Sequence, residues 1–385
     1  MPHLYLDHHT TTPPSKRAIA AMVSLYESHW GNPAAPHPRG QELLPLIDQA
    51  LGRVYRLLGA RDSDNVILTS SGAEAVNHVV NAAYYELVRE KGRDHFLTSV
   101  VDEAPVILSY ERMETLGCKT TLIPINRQGI VTPDALIDAL TPRTALLSLS
   151  WGNPMTGVIQ PVQELAEICQ DRGVWLHLDA THILGKLDFD LDEISPDFVS
   201  FNGDQIGAPA GTGALWIRAG LRTPPLILGA QDQNGLRAGP LSLPLLTALS
   251  IACEERLEGR DPLCLEIAPL RDRLEQGLIS IGGTLPFADS PRLPTTTCVA
   301  FPGVTSDALL YTLAKRGVYA SFGGGSCQQL SLQLEAAGLP HPVADCAITL
   351  TLGPSTTAAE IDEAILRITS AVHDLKTLSQ VFFDG

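Results

Sequence analysis

Positive charge is scarce in this chain, and lysine especially so. Its 385 residues include 27 Lys and Arg against 43 Asp and Glu, which gives a formal net charge of −16. Phosphates of nucleic acid and an anionic membrane surface would repel such a protein, so neither is expected as a partner. The six lysines lie at positions 16, 91, 119, 186, 315 and 376. Chemistry that needs a lysine amine therefore has few candidates.

Long apolar runs and paired cysteines are also missing. No run approaches the roughly 20 residues of a membrane-spanning helix. The first residues, MPHLYLDHHTTTPP, have an Asp and several His where a signal peptide has a basic start and an apolar stretch, so no signal peptide is predicted. The seven Cys form no CxxC pair, which argues against a disulfide scaffold or a standard zinc motif. This cysteine usage favours a cytoplasmic protein.

Short apolar runs alternate with helical patterns over the first two thirds of the chain. Such runs predict βαβ units around a mainly parallel sheet that is buried on both faces. After about residue 255 the pattern changes to shorter β-like runs and helices, which predicts a second, smaller α/β domain. The candidate strands of the larger domain are 65–69, 96–99, 121–123, 145–150, 174–179, 198–201 and 214–217.

The stretch TSSGAEA, at 69–75, follows a strand and opens a helix. Its small residues Ser70, Ser71 and Gly72 would leave main-chain N–H groups free to bind a phosphate at the helix N-terminus. An ordinary βα turn in which Ser70 or Ser71 caps the helix explains the same residues, and this stretch alone favours the turn.

The stretch HLDATH, at 177–182, ends another strand and places Asp179 at its carboxyl end. Open α/β sheets bind their ligands at that end of the strands. A carboxylate there could hold a protonated ring nitrogen, as an Asp does for the pyridinium of pyridoxal phosphate. The alternative is that Asp179 caps the following helix.

The stretch SFGGGSC, at 321–327, combines three glycines with a cysteine. The glycines give the main chain conformational freedom, and Cys327 is expected to be exposed, unlike the other six cysteines. An exposed thiol could be a nucleophile, a persulfide carrier or a metal ligand, and the alternative is a glycine turn with an incidental Cys. Asp7, His8, His9 and His37 suggest a metal only by residue type.

Several further stretches fall into a known order. Six stretches resemble segments of the cysteine desulfurases: YLDHHTTTP at 5–13, GNPAAPH at 31–37, TSSGAEAVN at 69–77, GVIQ at 157–160, HLDATHILGK at 177–186 and GSC at 325–327. These are pyridoxal-phosphate enzymes of the class V aminotransferase group that supply sulfur for iron–sulfur clusters. The resemblance covers nearly the whole chain.

The resemblance implies an α/β fold of the aminotransferase fold type I. Its large domain, here 15–255, holds a mainly parallel seven-stranded sheet, and residues 1–14 join 256–385 in the smaller α/β domain. It also implies a homodimer with a cleft between the two domains and the partner subunit. An iron–sulfur scaffold protein is the protein partner that the family suggests.

Departures from the family pattern fall on the residues that perform its chemistry. The stretch SFNGDQIGAPAGTGAL, at 200–215, resembles the family's lysine segment, but the lysine position is Gln205. A Gln amide cannot form an imine, because it is not a nucleophilic amine. The cofactor-stacking His falls at Glu103, and the Arg that binds the substrate carboxylate falls at Thr349. Further departures are Ala73, Pro240, His182 and Asn202, whereas Asp179, Asn153, Arg237 and Cys327 match.

Three hypotheses follow for the function. The first is a catalytically degenerate homologue that docks an iron–sulfur scaffold and uses Cys327 as a persulfide carrier or as a cluster ligand. The second is an enzyme that binds pyridoxal phosphate non-covalently through Asp179, Asn153, Arg237 and the 69–75 loop, with Glu103 or His182 as general base. The third is an unrelated small-molecule site built from Glu103, Asp204 and His182. We rank them in this order, because losing the Lys, His and Arg together removes covalent capture, proton transfer and substrate orientation.

Overall fold

A computed structural model describes residues 3–259, 263–324 and 328–383 of the chain. A large sheet of seven strands lies at its centre, and each of the seven candidate strands is present to within two residues at either end. In chain order, the N-terminal strand is β1 (Leu4–Tyr5), and the sheet contains β2 (Asn65–Thr69), β3 (His95–Ser99), β4 (Lys119–Ile123), β5 (Thr144–Ser150), β6 (Trp175–Asp179), β7 (Phe198–Asn202) and β8 (Gly213–Ile217).

The strand order is β2-β8-β7-β6-β5-β3-β4, and β8 alone among the seven runs antiparallel to its two neighbours. This confirms the mainly parallel seven-stranded sheet. In the register, Ser150 pairs with Asp179, and Asp179 pairs with Ser200. The carboxyl ends of β5, β6 and β7 therefore meet at one edge of the sheet, where the predicted site residues lie.

Both faces of the sheet are buried, which explains the continuous apolar runs of the strands. Leu147 and Leu178 belong to one buried apolar cluster, whereas Leu146 and Phe198 belong to another. Helices cover the two faces. They are α1 (Lys16–Ser28), α2 (Pro38–Gln41), α3 (Leu44–Leu58), α4 (Gly72–Ala83), α5 (Ala104–Thr115), α6 (Pro133–Ala139), α7 (Val162–Arg172), α8 (Leu191–Ile194) and α9 (Leu243–Glu258).

One predicted helix has a different form at its end. The pattern at 74–90 predicts one continuous helix, but α4 ends at Ala83 and the chain continues as a π-helical turn, Tyr84–Arg89. Apolar periodicity does not separate these forms, because an α-helix and a single π turn bury nearly the same face.

The remaining elements form a second layer of sheet and helix. Strands β9 (Thr296–Ala300) and β13 (Ala347–Thr351) pair antiparallel, and β1 pairs with β10 (Val318–Tyr319). Leu4 and Leu6 pack in the same buried cluster as Val299 and Ile348, so the N-terminal segment joins this layer. The exact domain bounds stay a prediction. The other elements are α10 (Ala268–Ser280), α11 (Ser306–Lys315), β11 (Gly323–Gly324), β12 (Gln328–Gln329), α12 (Leu330–Ala336), α13 (His341–Ala344) and α14 (Ala358–Phe383).

A side chain covers part of the outer edge of β2. Gln233 accepts a hydrogen bond from the Leu68 N–H at 2.7 Å through Oε1 and donates to the Leu68 carbonyl at 3.1 Å from Nε2. Gln233 and Asn234 have positive φ angles of 49° and 59°. This left-handed backbone is uncommon outside glycine. Within the described part of the chain, every helix is too short or too polar to span a bilayer.

Candidate functional site

The loop after β2 and the first turn of α4 contain the predicted phosphate-binding residues. Ser71 caps the helix, because its Oγ accepts from the Glu74 main-chain N–H at 3.2 Å. The Ser70 N–H and hydroxyl both donate to Glu74 Oε2, at 2.8 and 2.7 Å. Arg237 Nε lies 2.6 Å from Glu74 Oε1. The carboxylate of Glu74 thus already binds the donors of Ser70 and Arg237.

Hydrogen bonds link the same loop to the end of β6. The Gly72 N–H donates to Asn202 Oδ1 at 3.3 Å, and the Asn202 N–H donates to the Thr181 hydroxyl at 3.1 Å. Asp179 accepts from the Thr181 N–H at 2.9 Å, which is the contact that a turn-capping Asp makes. Burial raises the pKa of Asp179, although hydrogen bonds from Thr181 oppose the rise. The structure therefore brings Asp179, Asn202 and the loop at 70–72 together.

Two adjacent carboxyl groups between β3 and α5 interact with Asp179. Asp102 is buried and accepts from the Ser150 N–H and the Thr98 hydroxyl, at 3.0 and 2.9 Å. Burial, with the charges of Asp179 and Asp102, raises the pKa of Glu103 to about 8. Burial raises the pKa of Asp102 to about 7. Glu103 is therefore mainly protonated at neutral pH.

Glu103 also contacts the segment that follows Cys327. Gln328 donates from Nε2 to Glu103 Oε2 at 2.6 Å. At the start of the glycine-rich stretch, the Ser321 hydroxyl donates to Asp7 Oδ1 at 2.8 Å. Cys327, predicted as the exposed thiol and candidate metal ligand, lies outside the described residues. The described residues on either side of it are thus held by the cleft and by the N-terminal segment.

Gln205 lies in a short 3₁₀ turn after β7 and is 2% exposed. Its Nε2 donates to the main-chain carbonyl of His9 at 3.0 Å, and its Oε1 has no hydrogen-bond partner among the described residues. His182 is buried nearby, and burial, together with the charge of Lys186, lowers its pKa well below 6.5. His182 is therefore neutral at physiological pH.

The side chains of Asn153 and Thr349 both form hydrogen bonds with the main-chain turn that contains Met155. Asn153 Oδ1 accepts from the N–H groups of Met155 and Thr156, at 3.0 and 2.9 Å. The Thr349 hydroxyl is buried and donates to the Met155 carbonyl at 2.8 Å. A Thr at this position cannot form the bidentate pair that an Arg makes with a carboxylate.

Replacing Asn153 with Ala is expected to cost about 2 kcal/mol of stability, because two buried N–H groups lose their acceptor. Asn126→Ala is the matched control, since Asn126 Oδ1 accepts from Gln128 and Ile130 in a more exposed turn. Urea unfolding of both variants measures the difference. Equal losses would contradict the buried role of Asn153.

Sequence reasoning missed three contributors to the site. Glu74 lies in the first turn of α4, Asp102 precedes Glu103, and Gln328 lies just beyond the glycine-rich stretch. A signal existed for Asp102, because an Asp-Glu pair at the carboxyl end of a buried strand places two acids at the ligand edge. The described residues contain no group of three or more His, Cys, Asp or Glu that could hold a metal ion.

The cysteines expected in the core behave as predicted wherever the structure describes them. Buried free thiols lie at Cys118, Cys169, Cys253, Cys298 and Cys346. Burial raises the pKa of Cys169 and of Cys298 to about 12. The thiols of Cys169 and Cys298 are therefore protonated and unreactive at neutral pH.

Comparison with known proteins assigns the chain to a family. The aminotransferase class-V family model matches residues 4–240. Cysteine desulfurase 2 of Trichormus variabilis is 35% identical over 382 residues, which cover 98% of this chain and 94% of the relative. The chain belongs to the cysteine desulfurase family. The cysteine desulfurase IscS of Methanosarcina thermophila is 30% identical over 381 residues, which cover 98% of this chain and 93% of that relative.

Two solved structures show the same fold. A NifS-like protein superposes with a TM-score of 0.89 at 26% identity, covering 97% of this chain and 100% of its own. DndA from Streptomyces lividans superposes with a TM-score of 0.76 at 27% identity, and the match covers 90% of this chain and 99% of the DndA chain. These values agree with the fold type I architecture that the resemblance implied.

Cysteine desulfurases normally depend on pyridoxal phosphate, and the residues of this site do not fit its covalent form. Gln205, which the motif match places at the lysine position, offers an amide instead of an amine. Glu74 takes up the Ser70 and Arg237 donors that a phosphate would need.

Proposed function

We propose that the protein acts in sulfur transfer without pyridoxal-phosphate catalysis, through Cys327 as a persulfide carrier or as a thiolate ligand of an iron–sulfur cluster. The observation that supports this best is the 2.6 Å hydrogen bond from Gln328 to Glu103. Glu103 takes the place of the cofactor-stacking His and binds the residue next to Cys327. The cleft thus binds Gln328, the described residue that follows Cys327 in the chain.

The persulfide step needs no cofactor. The Cys327 thiolate attacks the outer sulfur of a donor persulfide, forming a new S–S bond while the donor's S–S bond breaks. The electron pair of that bond leaves with the donor as a thiolate, so no external oxidant is needed. Transfer to an acceptor thiol of an iron–sulfur scaffold protein repeats the same exchange.

Exposed apolar side chains support the homodimer that the family implies. Trp30 is 70% exposed, Tyr26 is 56% exposed and Leu228 is 81% exposed. Large exposed aromatic and aliphatic groups are typical of protein interfaces. A second copy of this chain is the partner that we propose for them.

We expect a persulfide on Cys327 after incubation with an active cysteine desulfurase and L-cysteine. Intact-protein and peptide mass spectrometry should show one added sulfur on the peptide that contains Cys327. Cys327→Ser should lose it, whereas Cys346→Ser, which removes a buried thiol, should retain it. Labelling that persists in Cys327→Ser would contradict the proposal.

An anaerobic absorbance spectrum separates this function from the second candidate. Asp179 favours that candidate, non-covalent pyridoxal phosphate, because it lies buried at the ligand edge of the sheet. We expect no pyridoxal band after desalting and no sulfide release from L-cysteine. A retained band that shifts with an amino acid would overturn the proposal and favour the enzyme. A broad iron–sulfur absorption lost in Cys327→Ser would select the cluster-ligand form.

A further inference from the structure

An asparagine is followed directly by a glycine at two places in the chain, Asn202-Gly203 and Asn234-Gly235. The main-chain nitrogen of a glycine is unhindered, because the residue has no Cβ. It can therefore attack the side-chain amide of the asparagine before it, provided that both groups can move. The two pairs share this chemistry, but the structure surrounds them differently.

The first pair is held at both reacting groups. Asn202 Oδ1 accepts a hydrogen bond from the Gly72 N–H at 3.3 Å, and the Gly203 N–H donates to the Thr212 carbonyl at 2.9 Å. Gly203 is also crowded, since a Cβ built there would lie 2.2 Å from Thr212 Oγ1. Attack on the Asn202 amide would require both hydrogen bonds to break and the end of β7 to open.

The second pair lies in an exposed turn. The Asn234 side chain is exposed and forms no hydrogen bond with any residue that the structure describes. It belongs to the short 3₁₀ turn Asp232–Gly235, in which Gln233, Asn234 and Gly235 have φ angles of 49°, 59° and 76°. A left-handed main chain is unfavourable for residues with a Cβ, and a single 3₁₀ turn has few hydrogen bonds to lose. Local opening at Asn234 therefore costs little free energy.

We propose that Asn234 is a site of spontaneous deamidation, at which the folded protein converts an asparagine into isoaspartate and aspartate. The Gly235 nitrogen attacks Asn234 Cγ and forms a new C–N bond, while the bond between Cγ and Nδ2 breaks. The amide nitrogen leaves as ammonia with the proton that Gly235 gives up, and a cyclic succinimide remains. Water then adds to either carbonyl carbon of the ring and opens it, so that no oxidant is needed. None of the steps proposed at Cys327 depends on this reaction.

The conversion changes the turn to which Gln233 belongs. Isoaspartate lengthens the main chain by a methylene group, and either product adds a negative charge close in sequence to Asp232. Gln233, the residue before Asn234, holds the N–H and the carbonyl of Leu68 at 2.7 and 3.1 Å. We expect the altered turn to weaken these two hydrogen bonds, so that the Leu68 amide exchanges its hydrogen faster.

Trypsin places the two pairs in separate peptides, 187–218 and 223–237. After incubation of the full folded chain at pH 8, mass spectrometry gives the deamidated fraction of each peptide. We expect 223–237 to deamidate at least about tenfold faster, since two hydrogen bonds protect Asn202. Labelling with an isoaspartyl methyltransferase should find isoaspartate in the same peptide. Equal rates in the two peptides, or no conversion at Asn234, would overturn the proposal.

The same incubation in urea separates the effect of the fold from that of the sequence. In the unfolded chain both asparagines precede an unhindered glycine, so the two peptides should deamidate at similar rates. A difference that persists in urea would show that the hydrogen bonds of Asn202 do not set it, and the structural argument would fail.

Asn234→Gln is the matched control, because a glutamine would have to close a larger ring to react in the same way. Peptide 223–237 of this variant should stay unmodified over the same period. Hydrogen exchange at Leu68 should rise as the parent protein ages and should stay constant in Asn234→Gln. Exchange that changes equally in the two proteins, or in neither, would overturn the expected effect on Gln233.

Discussion

Replacing Glu103 with Gln is expected to stabilise the protein by about 2 kcal/mol at pH 9. The pKa of Glu103 is raised from an ordinary 4.5 to about 8. The folded state therefore binds a proton that the unfolded state has released between these values. The contribution of this carboxyl is complete below pH 4.5 and is lost as the pH rises through about 8. Gln mimics the protonated form at every pH and removes the loss.

Denaturant unfolding from pH 5 to pH 9 measures this effect. The parent protein should lose stability across the range, and Glu103→Gln should show a flatter profile. Glu111→Gln, on an exposed position of α5, the helix that Glu103 precedes, is the control and should follow the parent. Parallel profiles for parent and Glu103→Gln would show that Glu103 does not ionise in a buried acidic cluster.

Restoring a lysine with Gln205→Lys is expected to destabilise the protein by about 3 kcal/mol and to release no sulfide from L-cysteine. The new ammonium would lie near Lys186 and Arg256, and the hydrogen bond to the His9 carbonyl would be lost. An amine alone does not restore proton transfer or substrate orientation, since Glu103 and Thr349 remain.

Gln205→Leu separates the effect of the lost hydrogen bond from the effect of the added charge in Gln205→Lys. It removes the hydrogen bond to His9 without adding charge, so it should cost less than Gln205→Lys. Urea unfolding gives the stability of both variants, and a sulfide assay with added pyridoxal phosphate gives the activity. Sulfide production by Gln205→Lys would mean that the rest of the site is still competent for catalysis.

The strands of the central sheet could be predicted closely because burial on both faces leaves a continuous apolar run in the sequence. Val199 and Phe201 alternate with Phe198 and Ser200 on two buried faces, so no polar residue interrupts the run except Ser200. The sequence did not predict which form a helix takes, since the π-helical turn at Tyr84–Arg89 has the same apolar periodicity as the α-helix before it.

Side-chain partners at the site could be predicted only in part. Asp179 and the loop at 70–72 are recognisable, because strand ends and helix starts leave local signals. The bond between Arg237 and Glu74 joins residues 163 positions apart, and the bond between Gln328 and Glu103 joins residues 225 apart. Contacts over such distances depend on the packing of whole elements, which local patterns do not contain. The raised pKa of Glu103 depends on the same packing.

The pairing of Gln233 with Leu68 has a consequence for how the protein behaves among other chains. A carboxamide presents one donor and one acceptor on the same side, as the N–H and C=O of a single residue in an antiparallel strand do, so Gln233 substitutes for one residue of an additional strand. An open strand edge is a template for β-aggregation, and β2 forms one margin of the sheet. The unusual backbone at Gln233 and Asn234 thus protects the folded protein from intermolecular sheet extension at that margin.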